Sequence, residues 1–236
     1  MTIAITPPSP VAHPSHRSWL AGQPLRTEDA ARCSGGPGVL SALAQAAVGG
    51  HALAEATLAW QHLRPRGDEA AQITGAANRG VGAPAHLPIA FTGGDLLAGR
   101  LVRVLTGLTW AVVAGWPGDC WVGVPRSDYH RVQRALSGTW RRYRQDFAKT
   151  AAAPAGPWAA TALWRMAFLL HGHPDAAEAF RLRLPDPDAA DMLCRAAHVL
   201  GATATTDPRP RGRRTVMICD SADVRRLLRT FLERYA

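Results

Sequence analysis

"WRMAFLLHGH", residues 164–173, is an apolar run broken by one arginine and closed by a glycine between two histidines. Upstream, "PWAATAL" places a proline near the start. Proline at the front and glycine past the end is the asymmetry of a helix, so the spacing predicts one over 157–173. Gly172 then stops it, and His173-Pro174 turns the chain into the next strand. A histidine in the last turn suits the negative end of the helix dipole. The alternative is a zinc site made by His171, His173 and a distant Cys194 or His198.

Outward from this helix the chain shows one pattern twice. "IAFTGGDLLAGRLVRVL" and "FRLRLPDPDAADMLCRAAHVL" each read as an alternating strand, a turn with an acidic residue (Asp95 or Asp188), and a helix of about three turns. The helices repeat apolar residues at 3–4 spacing: Leu97, Leu101, Val104 and Leu105 against Met192, Leu193, Ala196 and Leu200. Each reaches a glycine, Gly107 or Gly201, as a C-terminal signal. A strand, a turn and a β-branched strand follow, "CWVGV" or "TVMIC", then Ser127 or Ser221 as an N-cap and a basic amphipathic helix. The offset is about 94 residues, and self-similarity at a fixed period indicates duplication. A small apolar helix precedes each block, 37–51 and 157–173. Ala42, Ala46 and Gly49 give the first of these a small-residue face for close helix packing.

The whole chain carries 27 Lys and Arg against 18 Asp and Glu, a net charge of +9, which favours acidic partners, nucleic acid foremost. Only Lys149 is a lysine, a skew that fits GC-rich coding. The 4 cysteines form no CxxC pair, which excludes a disulfide framework or zinc ribbon and fits a reducing cytoplasm. No secretory leader or membrane span is read. Residues 1–37, with six of the 18 prolines, are expected to be disordered. No GxSxG, Walker, HExxH or paired-carboxylate motif occurs.

The segments "ALWRMAFLLHGH", "FRLRLPDPDAADMLCRAAHVLGATATT" and "RRTVMICDSADVRRLLRTF" resemble the second half of the LAGLIDADG-homing-endonuclease-like domain of WhiA-type sporulation regulators. The first block resembles the first half of that domain, and the resemblance runs from about residue 38 to the C-terminus. It implies an α+β fold of tandem αββαββα units forming a LAGLIDADG-type pseudo-dimer, monomeric, with the units packed through their first helices and their sheets forming a saddle. It divides the chain into a first unit at 38–137, a basic and aromatic linker at 138–158 and a second unit at 159–236. Active relatives hold divalent cations on an acidic residue at the end of each first helix. Here those positions are Val48 or Gly49 and His171, none of them acidic, so the resemblance implies no nuclease, no metal and no cofactor. His171-Gly172-His173 is then the worn end of such a helix. WhiA-type proteins continue into a helix-turn-helix domain, whereas this sequence ends at "LRTFLERYA".

Three basic patches are expected to meet DNA. In "AFRLRLP", period-2 alternation puts Arg181 and Arg183 on one face and Phe180, Leu182 and Leu184 on the other. The hairpin "DPRPRGRR" carries Arg209, Arg211, Arg213 and Arg214. In "TWRRYRQDFAK", Arg141, Arg142, Arg144 and Lys149 alternate with Trp140, Tyr143 and Phe147, which share one helical face and either pack in the core or stack bases. The Trp-rich strands around "TWAVVAGW" and "CWVG" suit a protein interface instead. The expected function is a non-catalytic, duplex-DNA-binding or transcription-associated regulator, nucleoid-associated in the cytoplasm, with a chromosomal developmental or mobile-element role. The alternatives are a module docking a transcription-factor or sigma-factor partner, and a relic homing nuclease or RNA-binding factor.

Overall fold

A computed structural model describes residues 37–78, 85–116, 119–149, 156–171, 179–208 and 214–233. Three helices open the described chain: α1 (Pro37–Gln45), α2 (Ala52–Leu63) and α3 (Asp68–Asn78). Strand β1 (His86–Thr92), helix α4 (Asp95–Leu105), strands β2 (Val112–Trp116) and β3 (Asp119–Pro125) and helix α5 (Tyr129–Lys149) complete the first half. The second half runs α6 (Gly156–His171), β4 (Phe180–Leu184), α7 (Pro187–Val199), β5 (Thr205–Pro208), β6 (Arg214–Ile218) and α8 (Ser221–Glu233).

Each half holds one antiparallel three-stranded sheet with the same order, β1-β3-β2 and β4-β6-β5. The fold is α+β as expected, and the repeated block is real at the level of topology. The extra strand of an αββαββα unit is not present among the described residues. In the first half α3 stands where it was expected. Residues 172–178 of the second half lie outside the described residues, as do residues 1–36.

Helices α2 and α6 form the centre. Every residue of α2 from Ala54 to Gln61 and of α6 from Ala159 to Leu169 is buried. A helix buried all round is apolar or neutralised all round. Alanines at 54, 56, 59, 159, 160, 162 and 167 let neighbours approach closely. The N-terminal ends of the two helices share a small cavity, lined by Ala52 and Glu55 on one side and Trp158 and Ala162 on the other. The partner of α6 is therefore chiefly α2, which corrects the expectation that residues 37–51 play that part. α1 ends at Gln45, Ala46 is half-buried beyond it, and Val48 and Gly49 are exposed in the loop to α2. The proline and glycine signals at 37 and 49–50 were genuine, but they bracket a shorter helix and a turn.

The aromatic run of α5 is settled by packing. Trp140 and Phe147 are buried and Tyr143 is half-buried, its hydroxyl 3.1 Å from His51 Nδ1. Trp140 and Phe147 are therefore core, and Tyr143 packs partly against it. α5 also passes straight through residue 138, so residues 138–149, expected as a linker, are ordered helix. Capping differs from expectation too. Asp186 and Asp220 accept backbone N–H groups at the starts of α7 and α8, at 3.0 and 2.7 Å. Ser127 lies in a short 3₁₀ turn, and Ser221 is already helical.

The repeat extends to one side-chain arrangement. In the first half Asp128 pairs with Arg131 at 3.0 Å, Arg131 donates to the Leu108 carbonyl at 2.7 Å, and the Thr109 hydroxyl donates to Asp128 at 2.6 Å. In the second half Asp223 pairs with Arg226 at 3.4 Å, Arg226 donates to the Gly201 carbonyl, and the Thr203 N–H donates to Asp223 at 2.8 Å. In both, the last helix clasps the end of the preceding helix. The Thr109 hydrogen bond, aided by Arg131, holds the Asp128 carboxyl below its usual value.

Candidate nucleic-acid interface

The two sheets turn one face toward the helices and leave the other open. Strand β4 shows the expected alternation: Phe180, Leu182 and Leu184 are buried, Arg181 and Arg183 exposed. The register continues that open face across the sheet, with Arg181, Met217 and Thr205 in one row and Arg183, Thr215 and Asp207 in the next. It is polar, mainly cationic at the β4 edge, with one carboxylate at the other.

The open face of the first sheet carries no charge in its central rows. They are Phe91, Trp121 and Ala114, then Pro88, Gly123 and Val112. The Trp121 ring lies over Gly123, where an added Cβ would fall inside the indole, 3.1 Å from Cε3. The glycine is needed for space, not for an unusual φ. Gly123→Ala is expected to lift the indole off the sheet and cost roughly 1–3 kcal/mol by overpacking. An unchanged Tm together with an unchanged near-UV tryptophan signal would show that the ring does not rest there. Trp110, at the head of β2, is 73% exposed.

Among the described residues, the expected α5 and β4 patches do not share one face. α5 packs its apolar stripe on α2 and α7, behind the sheets. Arg141, Arg142 and Arg144 are exposed there, on the helical side, while Arg181 and Arg183 sit on the open sheet face. Arg209, Arg211, Arg213 and the Lys149 side chain lie outside what the structure describes. Arg214 turns inward, contrary to expectation. It shares the face of Val216 and Ile218 and pairs with Asp191 of α7 at 2.6 Å. That carboxylate is a competitor for any phosphate. Arg144 likewise pairs with Asp188 at the start of α7.

The expected list missed part of the surface. Arg131 and Arg134 are exposed on α5 on the same side as Arg141, Arg142 and Arg144. At 1.5 Å per residue these five arginines span about 20 Å of one helix. Arg225, Arg226 and Arg229 are exposed on α8. Spacing alone could have found them, because a helix with an apolar 3–4 stripe must project its arginines the other way.

The divalent-cation site implied by the homing-endonuclease resemblance does not fit these residues. His171 ends α6 with its ring 4.8 Å from Phe180, and the last turn of α2 is Gln61, His62 and Leu63. The nearest acid on α2 is Glu55, at the other end. Both its oxygens are taken: Arg100 Nε and Nη2 donate at 2.6 and 2.8 Å, and Arg165 Nη1 lies at 3.1 Å. Among the described residues no group of three His, Cys, Asp or Glu could hold a metal ion, and no helix is long and apolar enough to cross a membrane.

No family model matches the sequence, and no curated protein matches it. Among solved structures the chain is similar to full-length DUF199/WhiA from Thermatoga maritima, at 12% identity and a TM-score of 0.49, over 84% of this chain. The chain spans 63% of the length of that structure.

Proposed function

We propose that the protein is a non-catalytic nucleic-acid-binding regulator that holds duplex DNA through its arginines. The observation that carries this reading is the cationic side of α5, where Arg131, Arg134, Arg141, Arg142 and Arg144 are all exposed. Of these, Arg131 and Arg144 have carboxylate partners, and the net charge of +9 adds a long-range pull. α5 supplies phosphate contacts. Arg181 and Arg183, on an open sheet face with Thr205 and Thr215, supply contacts to base edges in a groove. In this reading the halves form a pseudo-dimer about α2 and α6, and the protein acts on transcription.

Fluorescence anisotropy of labelled duplexes across a salt series tests this. Affinity is expected to fall with a log–log slope of about −0.9 per phosphate contact. Arg134, Arg141 and Arg142 changed together to Gln should weaken all duplexes alike and flatten the slope by roughly 2–3. Changing Arg181 and Arg183 should instead blunt the preference among sequences. Absence of binding to duplex and single strands at low salt would sink the proposal. It would leave a second reading, favoured by the uncharged open face of the first sheet and by Trp110: docking of a transcription partner on that sheet, which Trp110→Ala and Trp121→Ala should abolish.

A further inference from the structure

A cavity of about 620 Å³ opens where the two halves meet at the C-terminal end of α2. This lies within the size range of small-molecule sites. One wall is the last turn of α2 and the segment after it, with Trp60, Arg64 and Arg66. Tyr129 and Gln133 of α5 form another. The second half contributes Pro185, Asp186 and Pro187, between β4 and α7.

The chemistry of these walls is specific. Trp60 is buried, and the Arg64 guanidinium lies over its ring, 5.1 Å from the centroid. A guanidinium held over an indole in this way presents a cationic planar group of the kind that nucleobases stack on. Arg66 is anchored by donating to the Gln61 carbonyl at 3.2 Å, which leaves the rest of its fork for an anion. Gln133 donates to the Tyr129 hydroxyl at 3.1 Å. Burial pushes the Tyr129 phenol above its usual value, so it stays a neutral hydroxyl at physiological pH. One oxygen of Asp186 accepts the Asp188 N–H at 3.0 Å. A carboxylate placed beside a phosphate-binding cation is also suited to ribose hydroxyls. The cavity thus combines a stacking plane, an anion fork and hydroxyl acceptors, and none of these groups belongs to the arginine face of α5.

We infer that this cavity is a binding site for a nucleoside monophosphate: base on the Arg64 guanidinium that Trp60 backs, phosphate on Arg66, ribose toward Asp186. Because Pro185–Pro187 comes from the other half, the bound nucleotide bridges the halves and stabilises their pairing.

Thermal unfolding of the full chain tests this with adenosine and guanosine 5′-monophosphate, and with adenosine and inorganic phosphate as controls. At least one nucleotide should raise Tm saturably, by roughly 5–10 °C at about a hundredfold above Kd. The two controls should not. Arg64→Gln and Arg66→Gln are surface changes expected to keep the ligand-free Tm and to abolish the rise. Three results would overturn the inference. These are no rise with either nucleotide, a rise that survives both substitutions together, and an equal rise with inorganic phosphate. A short single-stranded oligonucleotide that raises Tm more than either nucleotide in the wild type, with that rise lost in the variants, would also overturn it, by making the site a strand-end clamp. The outcome is independent of DNA binding, which the α5 variants read separately.

Discussion

Glu55→Ala is expected to cost about 3–5 kcal/mol, because it removes the carboxylate that two buried guanidiniums share. Domains of ordinary stability have about 5–15 kcal/mol in all, so the variant should be largely unfolded at moderate temperature. Arg100 and Arg165 are 0–1% exposed and Glu55 is 2% exposed. Arg100 binds the carboxylate through two nitrogens, and both arginines also reach carbonyls of the α1–α2 loop. Arg100 belongs to the first half, Arg165 to the second, and Glu55 joins them. The check is guanidinium denaturation of Glu55→Ala beside a triple variant in which Glu55 becomes Leu and both arginines become Met. The triple variant should be close to wild type or above it, since a well-packed apolar replacement avoids desolvating the ions. A Glu55→Ala protein within about 1 kcal/mol of wild type would show that the guanidiniums find water, and that the triad is not a closed core element.

Trp164→Ala is expected to lose about 3–5 kcal/mol, the range for deleting a fully buried large aromatic side chain. Trp164 is 0% exposed. Its indole N–H donates to the Leu193 carbonyl of α7 at 3.0 Å. Its ring meets Phe180 at 5.4 Å and Phe168 at 6.0 Å, and Phe168 in turn meets Phe231 of α8 at 5.7 Å. The residue thus ties α6 to β4 and α7 directly, and to α8 through Phe168. Trp164→Phe keeps most of the apolar volume but loses the N–H donor, so it should fall between wild type and Ala. A lower denaturation midpoint at constant m-value is the predicted signature. Equal stability of Phe and wild type would assign no role to the Leu193 hydrogen bond.

The stretch 164–173 was readable because its chemistry is local: apolar periodicity, a proline before it and a glycine after it. The same holds for β4, where alternation alone placed Arg181 and Arg183 outside. The central role of α2 was not readable. "HALAEATLAWQHL" contains a glutamate that looks like a solvent residue, and only Arg100 and Arg165, 45 and 110 positions away, make its burial tolerable. The lone arginine inside the apolar run was the visible half of that pair. The site was less legible than the fold. Whether an arginine faces a ligand or a neighbouring carboxylate is decided by tertiary neighbours, as Arg214 with Asp191 and Arg144 with Asp188 show. The cavity at Trp60 was invisible for the same reason, since it is assembled from four distant segments.

The paired clasps of Asp128 with Arg131 and Asp223 with Arg226 also bear on how the chain finds its structure. Each closes a loop of only 20 to 25 residues, whereas Glu55 and Arg165 must meet across a span more than four times as long. Short loops cost little closure entropy and form early, and long ones wait. Each sheet-and-helix half can therefore assemble from its own local contacts, before the two central helices dock and sequester the ion triad. Refolding should then show a fast phase common to both halves and a slower one reporting Trp164 burial. A ribosome that has released the first half already holds a structured unit with one apolar seam, waiting for α6.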